Sequence, residues 1–447
     1  MIEGKKQMGL VLKKASRIAW KANRPRVAIV VWAGVLLVVD IAGADIAQVN
    51  TTAQIARLTG PGAVNDTAAV GIGGTDLGIM VNHHGQTFLL FGDTFSSDTS
   101  SPGTGWRWNT MAYTTDTDPA DGITFDGWIT SSPSWACEII HSGRQTPVTE
   151  IPTGAISIGD RLYVWYMSVE AWGTVGGQWT CNYGGLAYSD DDGWSFTVVD
   201  SFEFPGDGNF VMVAAATRTD PYGGEDPYVY VWGTPAGRFG GVKLARILPQ
   251  DIANLAAYQY MGGLVDGRPT WTTAEADGVI IVPAPVGEMS VMYNAAARVW
   301  TMLSFDENRD AIELWQARTP WGPWFGPITV TTGRTYPGLY GSYMNPLYVG
   351  NDGQSVYFTM SRWFSYDVYL MKTDFRLVAP ADFDRDGDVD LADFANFQGA
   401  FNGPNRPCNG QPSCARVDFD GDGDVDLADF GTFQSCFNGP NRPPVYQ

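Results

Sequence analysis

Asp76, in the run G-T-D-L-G, and Asp93, in F-G-D-T-F, stand 17 positions apart on either side of a short turn. A carboxyl and a carboxylate held together can break a glycosidic bond. One gives a proton to the departing oxygen, and the other attacks the anomeric carbon or activates water. Local turn hydrogen bonds are the competing explanation, disfavoured because burying two carboxylates is costly without a task. Glu288, in V-G-E-M-S, is a third carboxylate that modulates the pair or takes the place of one member. Trp106, Trp108, Trp172 and Trp363, with Asn109, Glu170, Asn345 and Arg362, form the expected substrate-binding set. Sugar ring faces stack on aromatic planes while polar groups hold hydroxyls. No G-x-S-x-G elbow is present, so serine-hydrolase chemistry is not expected.

A second constellation lies near the C-terminus. DFDRDGDVDLADF from Asp382 returns as DFDGDGDVDLADF from Asp418, and both copies run on to FNGPNRP. Each places Asp at loop positions 1, 3, 5, 9 and 12 with Gly at 6: Asp382, Asp384, Asp386, Gly387, Asp390 and Asp393, then Asp418, Asp420, Asp422, Gly423, Asp426 and Asp429. Calcium takes six to eight oxygens, and the glycine permits the sharp turn that wraps them round the ion. Position 7 supplies a backbone carbonyl in such loops; Asp388 and Asp424 occupy it and are counted with the candidate ligands. Two calcium sites are expected here, and catalysis needs no cofactor. Leu391 to Phe401 and Leu427 to Phe437 can each form a short helix after a loop.

The elements that must position the first constellation are strands. An apolar, aromatic-rich segment followed by an answering strand occurs five times: Thr87–Phe91, Leu162–Met167, Tyr228–Trp232, Val299–Phe305 and Val356–Met360, answered around Ala112, Ala187, Ala245, Ala317 and Met371. Such a repeat predicts an all-β five-bladed β-propeller, one antiparallel sheet per unit. Innermost strands are expected near Asp76–Val81, Thr153–Ile158, Phe210–Ala216, Glu288–Tyr293 and Tyr343–Val349. Because blade strands alternate in direction, the start of the inner strand, the end of the second and the following loop share one mouth. Asp76, Asp93, Glu170, Glu288 and Arg362 are expected there, with Glu150 near enough to reach it. His83 and His84 fall in a tight turn at the far end and read as exposed turn residues. Ser189 to Phe196, S-D-D-D-G-W-S-F, matches the Asp-box of sialidase-type propellers, a device that ties a hairpin together.

The first 26 residues carry eight basic side chains, Val27 to Val39 is apolar, and Ala42-Gly43-Ala44 offers a cleavage site. That pattern reads as a secretory signal peptide over 1–44, too short in its apolar run for a membrane span of about 20 residues. Beyond it remain 20 basic and 46 acidic residues, a formal charge of −26. Such a surface repels nucleic acid and anionic membranes and suits neutral ligands and bound cations. The five cysteines are free to pair outside the cytosol, but their odd number leaves one over.

The runs LTGPGAVNDTAAVGIGGTDLGIMVNHHGQTFLLFGDTF, WRWNTMAYTTD, IPTGAISIGDRLYVWYMSV, GEMSVMYN, ARTPWGPW and YMNPLYV resemble domain-of-unknown-function family 4185, now glycoside hydrolase family 183, from about Leu58 to Phe375. The resemblance implies a five-bladed propeller that cleaves D-arabinan internally at α-D-arabinofuranosidic linkages, with Asp76 and Asp93 as its catalytic aspartates. The acidic repeats resemble dockerin type I, which implies a cohesin partner on a scaffold; Ala395-Asn396, Gly431-Thr432 and the internal cysteines depart from cellulosomal dockerins. The expected layout is a leader (1–44), a propeller (45–379) and a calcium-binding tail (380–447). The whole reads as an extracellular monomer acting on polysaccharide, attached to a cell surface or scaffold through its tail. A non-catalytic glycan-binding propeller is the rival reading.

Overall fold

The inner strands carry almost no polar alternation, and their surroundings explain why. In blade 1, Gly74–His83 and Gln86–Phe95 are buried at nearly every position. A strand beside the propeller axis has a neighbouring sheet on each face, so both sides of the pleat want apolar groups. The computed structural model describes residues 29–32, 35–38, 44–96, 105–217, 226–265, 268–350, 352–408 and 412–442.

Five antiparallel sheets follow in chain order. Blade 1 adds Thr110–Thr114 and Gly127–Trp128 to the two strands above. Blade 2 is built on Thr149–Ile158, Arg161–Trp172 and Trp179–Ser189, and blade 3 on Met212–Thr217, Val229–Thr234 and Gly240–Ile247. Blade 4 runs Met289–Asn294, Val299–Asp306, Ala311–Ala317 and Phe325–Thr332. Blade 5 contributes Leu339–Val349, Ser355–Arg362 and Asp367–Val378. The inner strand of blade 5 starts at Leu339, ahead of the expected Tyr343.

The fourth strand of blade 5 comes from the other end of the chain. Asp45–Arg57 pairs antiparallel with Asp367–Val378, from Tyr369 opposite Arg57 to Val378 opposite Asp45. The amide of Gln316 in blade 4 grips this strand twice, accepting from Ile46 N and donating to Ile46 O, each at 2.7 Å. Arg57 pairs with the fully buried Asp367. This closure was not foreseen from the repeat, which counts inner strands and leaves the last outer one unassigned.

Among the described residues of the tail are three helices, α1 (Leu391–Ala400), α2 (Pro412–Val417) and α3 (Leu427–Cys436). Asp390 and Asp426 cap α1 and α3, each with a reciprocal carboxylate, Asp393 or Asp429, three residues in. The two repeats clip each other. Asn402 N and Gly403 N donate to Val425 O while Val425 N donates to Asn402 Oδ1; Asn438, Gly439 and Val389 repeat the exchange in the other direction. That reciprocity gives the trailing FNG of each copy its purpose. Phe397 and Phe433 fill the core between them, and Cys408 is joined to Cys414. The Arg318 guanidinium of the propeller lies 5.2 Å over the Phe419 ring of the tail.

Separately, Ile29–Trp32 pairs antiparallel with Val35–Val38. The basic part of the expected leader, 1–28, lies outside the described residues, and among those described no helix is long and apolar enough to cross a membrane.

A chain beginning at Leu58 should be much less stable than one beginning at Asp45. It loses the fully buried Ile46 and leaves Asp367 buried without Arg57, a deficit on the order of 5 kcal/mol. Denaturant unfolding of the two chains measures it; equal midpoints would show that the strand does not close the ring.

Candidate active site

The mouth defined by strand direction is a cleft of about 720 Å³. Its walls include Asp76 and Leu77 from inner strand 1, Asp93 and Phe95 from the end of the second strand, Glu288 and Met289 from inner strand 4, and Tyr340 and Tyr343 from inner strand 5. Trp106, Trp172, Trp179, Trp363 and Tyr366 enter from the loops between second and third strands or from the strand ends beside them.

Asp76 sits at a break in the ladder. The register of blade 1 shifts between Thr75 and Leu77, Leu77 takes a left-handed φ of 68°, and Gly78 follows at 81°. The Leu77 N–H released from the ladder donates to Ser361 Oγ of blade 5 at 2.7 Å. Tyr340 donates its hydroxyl to Asp76 Oδ2 at 2.8 Å, while buried Oδ1 has no hydrogen-bond partner. A side chain at Gly92 would place its Cβ 2.5 Å from that oxygen, so the glycine of F-G-D-T-F makes room for Asp76. Burial raises the Asp76 pKa from 3.8 to about 7, with the Asp93 and Glu288 charges adding to it and the Tyr340 and Tyr366 hydroxyls opposing it.

Asp93 is better solvated by the protein. Its Oδ1 accepts from Thr149 Oγ1 at 2.6 Å and from Trp106 Nε1 at 2.9 Å. Burial still lifts it to about 6, against those two hydrogen bonds. The two carboxyls thus differ in environment as well as in position.

Glu288 is already committed. Arg238 donates Nε and Nη2 to it at 2.8 to 3.1 Å and Nη1 to Glu307 at 3.0 Å. The same guanidinium lies 5.0 Å over Tyr340, the partner of Asp76. This carboxylate is thus fixed in place by the guanidinium. None of Arg238, Tyr340, Thr149 and Glu307 was expected as a catalytic or substrate-binding residue. Their signals, a Tyr, a Thr and a Glu beside inner-strand ends, carry no distinctive spacing.

Of the expected substrate-binding residues, Trp106, Trp172 and Trp363 line the cleft; Trp172 and Trp363 are 48% and 54% exposed. The others are placed elsewhere. Asn345 is fully buried and exchanges amide hydrogen bonds of 2.8 Å with Asn82, towards the far end, because inner strand 5 starts earlier than expected. Asn109 is consumed by backbone, donating to Ile140 O and Glu150 O and accepting from Ile139 N and Ile140 N. Glu150 holds Ser142 and is likewise fully buried. Trp108 stacks on His141 at 4.8 Å. Exposed Glu170 falls where register shifts between Val169 and Ala171, and Arg362 lies over Tyr369; neither lines the cleft.

The acidic loops gather carboxylates at both repeats: Asp382, Asp384 and Asp393, with Asp388 and Asp390 beside Asp393, and in the second copy Asp418, Asp420 and Asp422, then Asp424, Asp426 and Asp429. Gly387 and Gly423 take φ of 102° and 96°, a conformation only glycine adopts readily. Asp382 Oδ1 is buried without a hydrogen-bond partner. Asp386 Oδ1 accepts from Asp388 N at 3.1 Å. Asp388 and Asp424 turn one oxygen to the backbone N–H of Asn441 and Asn405 and leave the other buried without a partner. Burial, then the Asp429 charge, pushes Asp418 up to about 7. Crowded, desolvated carboxylates of this kind fit a hard divalent cation.

At the far end, the Asp-box ties its turn: Asp191 accepts from Ser189 Oγ, Ser195 N and Ser195 Oγ at 2.6 to 2.8 Å. The histidine expectation needs correction. His84 is exposed, but His83 is 2% exposed, covered because this turn packs against blade 2.

Residues 62–372 match the family described as Domain of unknown function (DUF4185). No curated protein matches the chain. Among solved structures, the exo-β-1,3-galactanase of Phanerochaete chrysosporium aligns at 11% identity and TM-score 0.44 over 71% of this chain and 64% of that one. This chain therefore spans less than two thirds of that protein. A family 117 glycoside hydrolase of Zobellia galactanivorans aligns at 11% identity and TM-score 0.42, covering 74% and 92%. An α-L-arabinofuranosidase of Clostridium thermocellum aligns at 12% and 0.38, covering 64% and 82%.

The raised pKa of Asp76 has a stability consequence. Folding takes up a proton between the unfolded value of 3.8 and about 7, so the stability Asp76 permits is intact at low pH and lost as pH rises through 7. Asp76→Asn should therefore stabilise the protein at pH 8, by roughly 2–4 kcal/mol, and make no difference near pH 4. Urea unfolding at the two pH values reads it; a variant destabilised at pH 8 would contradict the buried, strained carboxylate.

Proposed function

The chain belongs to the DUF4185 family, and on that footing we propose that it is a secreted glycoside hydrolase cutting α-D-arabinofuranosidic linkages inside D-arabinan. The observation that carries the hydrolytic part is the pair of buried carboxyls, Asp76 and Asp93, set in one aromatic-walled cleft with unequal hydrogen bonding, Tyr340 on Asp76 against Thr149 and Trp106 on Asp93. The sugar and its linkage rest on the resemblance to glycoside hydrolase family 183.

Asp76, the group that keeps its proton to higher pH, is the general acid. Its proton passes to the glycosidic oxygen as the bond from that oxygen to the anomeric carbon breaks. Asp93, ionised and held by Thr149 and Trp106, supplies the opposing carboxylate that attacks the anomeric carbon or takes the proton of the attacking water. Tyr340 orients Asp76, and the Arg238–Glu288–Glu307 cluster fixes Tyr340 from the other side. Trp172 and Trp363, exposed at the rim, offer stacking faces to a chain that runs through the cleft, as an internal cut requires.

For the tail, the proposal is two calcium ions. Asp382, Asp384, Asp386 and Asp393 would hold one and Asp418, Asp420, Asp422 and Asp429 the other, with the position 7 carbonyls of Asp388 and Asp424 completing the sets. The loaded tail would dock on a cohesin or another extracellular scaffold, an assignment supported by the loop–helix repeat.

Asp76→Asn and Asp93→Asn should each lower oligosaccharide release from D-arabinan by on the order of 10² to 10⁴-fold while leaving the fold intact, with L-arabinan a poor substrate for the wild type. The wild-type rate should be bell-shaped, highest between the two values of about 6 and about 7. Tight binding of D-arabinan without cleavage would instead make this a glycan-binding propeller. Calorimetry with calcium should give two sites per chain, with Asp393→Ala losing one and lowering the thermal midpoint of the tail; no heat in the wild type would remove the metal assignment.

A further inference from the structure

At the end of the propeller opposite the cleft, the turn between the first two strands of blade 1 meets the Asp-box turn of blade 2. His83 Nε2 lies 3.2 Å and His84 Nδ1 2.7 Å from the same atom, Asp192 Oδ1. The two imidazoles are stacked, 4.0 Å between centroids and 23° between planes. We propose that His83, His84 and Asp192 form a binding site for one divalent transition-metal ion, zinc in the first instance, which clips blade 1 to blade 2.

Three features single this cluster out. First, the inner nitrogen of each ring approaches one atom, Asp192 Oδ1, and the three residues offer ligand atoms within 4.8 Å of one another. Zinc bonds of about 2.0–2.1 Å put ligand atoms in a tetrahedral site about 3.3 Å apart. Asp192 Oδ1 stands closer than that to both rings, slightly so to His83, and the Asp192 side chain is 54% exposed and free to withdraw. Second, the outer nitrogens are occupied as metal-bound histidines require. His83 Nδ1 is 2.8 Å from Ser157 Oγ, and His84 Nε2 is 3.4 Å from Asp160 Oδ1. A donor N–H on the outer side leaves the inner nitrogen its lone pair and holds the ring in place. Third, His83 is 2% exposed, and its buried Nε2 makes no aligned hydrogen bond, Asp192 Oδ1 being its polar neighbour at 3.2 Å. A buried acceptor left unmatched is costly, and an ion at this point would satisfy it.

The local chain conformation serves the same end. His84 and Asp192 both take left-handed φ, 45° and 56°. Within the Asp-box, Asp191 turns inward to Ser189 and Ser195, and the next residue is thereby presented outward to the histidines. The ion class follows from the ligands. Imidazole nitrogen with one carboxylate suits zinc, copper, nickel and cobalt, whereas calcium takes oxygen alone. The far-end site and the tail loops are thus chemically separable.

The test uses the full chain with calcium in excess, so that the acidic loops are filled, and titrates zinc chloride against a competing chromogenic chelator. The expected result is one zinc per chain, at least tenfold weaker in His84→Ala and in Asp192→Asn, both of which alter exposed side chains. Ser157→Ala should weaken it by about tenfold, since outer partners of metal-bound histidine matter by about 10 to 100-fold. Cobalt should give a visible absorption that disappears in His84→Ala. Identical zinc uptake and cobalt spectra in wild type and variants, or zinc displaced by calcium, would overturn the proposal.

Discussion

Closure of the ring is the constraint on which the rest of the structure depends. Five twisted sheets can surround a channel only if the last is fastened to the first, and here the fastening is made by chain segments about 300 residues apart. Asp45–Arg57 completes blade 5, and blade 5 then bonds to blade 1 through Leu77 N to Ser361 Oγ, Thr359 Oγ1 to Gly78 O and Thr75 N to Tyr366 O, at 2.7 to 2.8 Å. The proposed chemistry sits at this seam. Asp76 takes its hydroxyl from Tyr340 across it, so the environment of the proposed acid exists only in the closed ring.

Burial and hydrogen bonding divide the labour among the carboxylates. Asp76 has one donor and an empty oxygen, Asp93 two donors, and Glu288 a guanidinium. Three similar side chains thereby acquire three characters within one cleft, as desolvation is offset to different degrees. The cost falls on stability: a site kept ready to hold a proton near neutral pH is one the fold would discard if folding were its only task. The tail follows a related logic. Its loops crowd carboxylates that repel each other, and Asp393 and Asp429, the N3 carboxylates of the α1 and α3 capping boxes, also stand in the proposed ligand sets.

Several expectations were legible because they rest on local periodicity. The TFLLF, YVYVW and VYFTM runs announce strands covered on both faces, and five of them announce five blades. Strand direction alone sorted Asp76, Asp93 and Glu288 to one mouth, where the cleft is found. Asn345 went astray for a definite reason: moving the start of one inner strand from Tyr343 to Leu339 exchanges the mouth for the depth of the channel. Asn109 and Glu150 were misjudged differently. Both lie close to the site in sequence, but their polar atoms are spent on loop backbone that no sequence pattern reveals.

The sequence alone determined the strand repeat, the two acidic loops with their glycines, the Asp-box and the aspartate pair, since each is written in neighbouring residues. Only the tertiary structure decided which outer strand closes blade 5, that Tyr340 and Arg238 shape the carboxyl pair, and that the buried His83 meets Asp192. It also revealed why each acidic repeat carries FNG, because the clip that Asn402 and Asn438 make is with the opposite copy. These are contacts between residues dozens to hundreds of positions apart. Their formation depends on how sheets and repeats pack in space, which hydrophobic and turn patterns constrain without specifying.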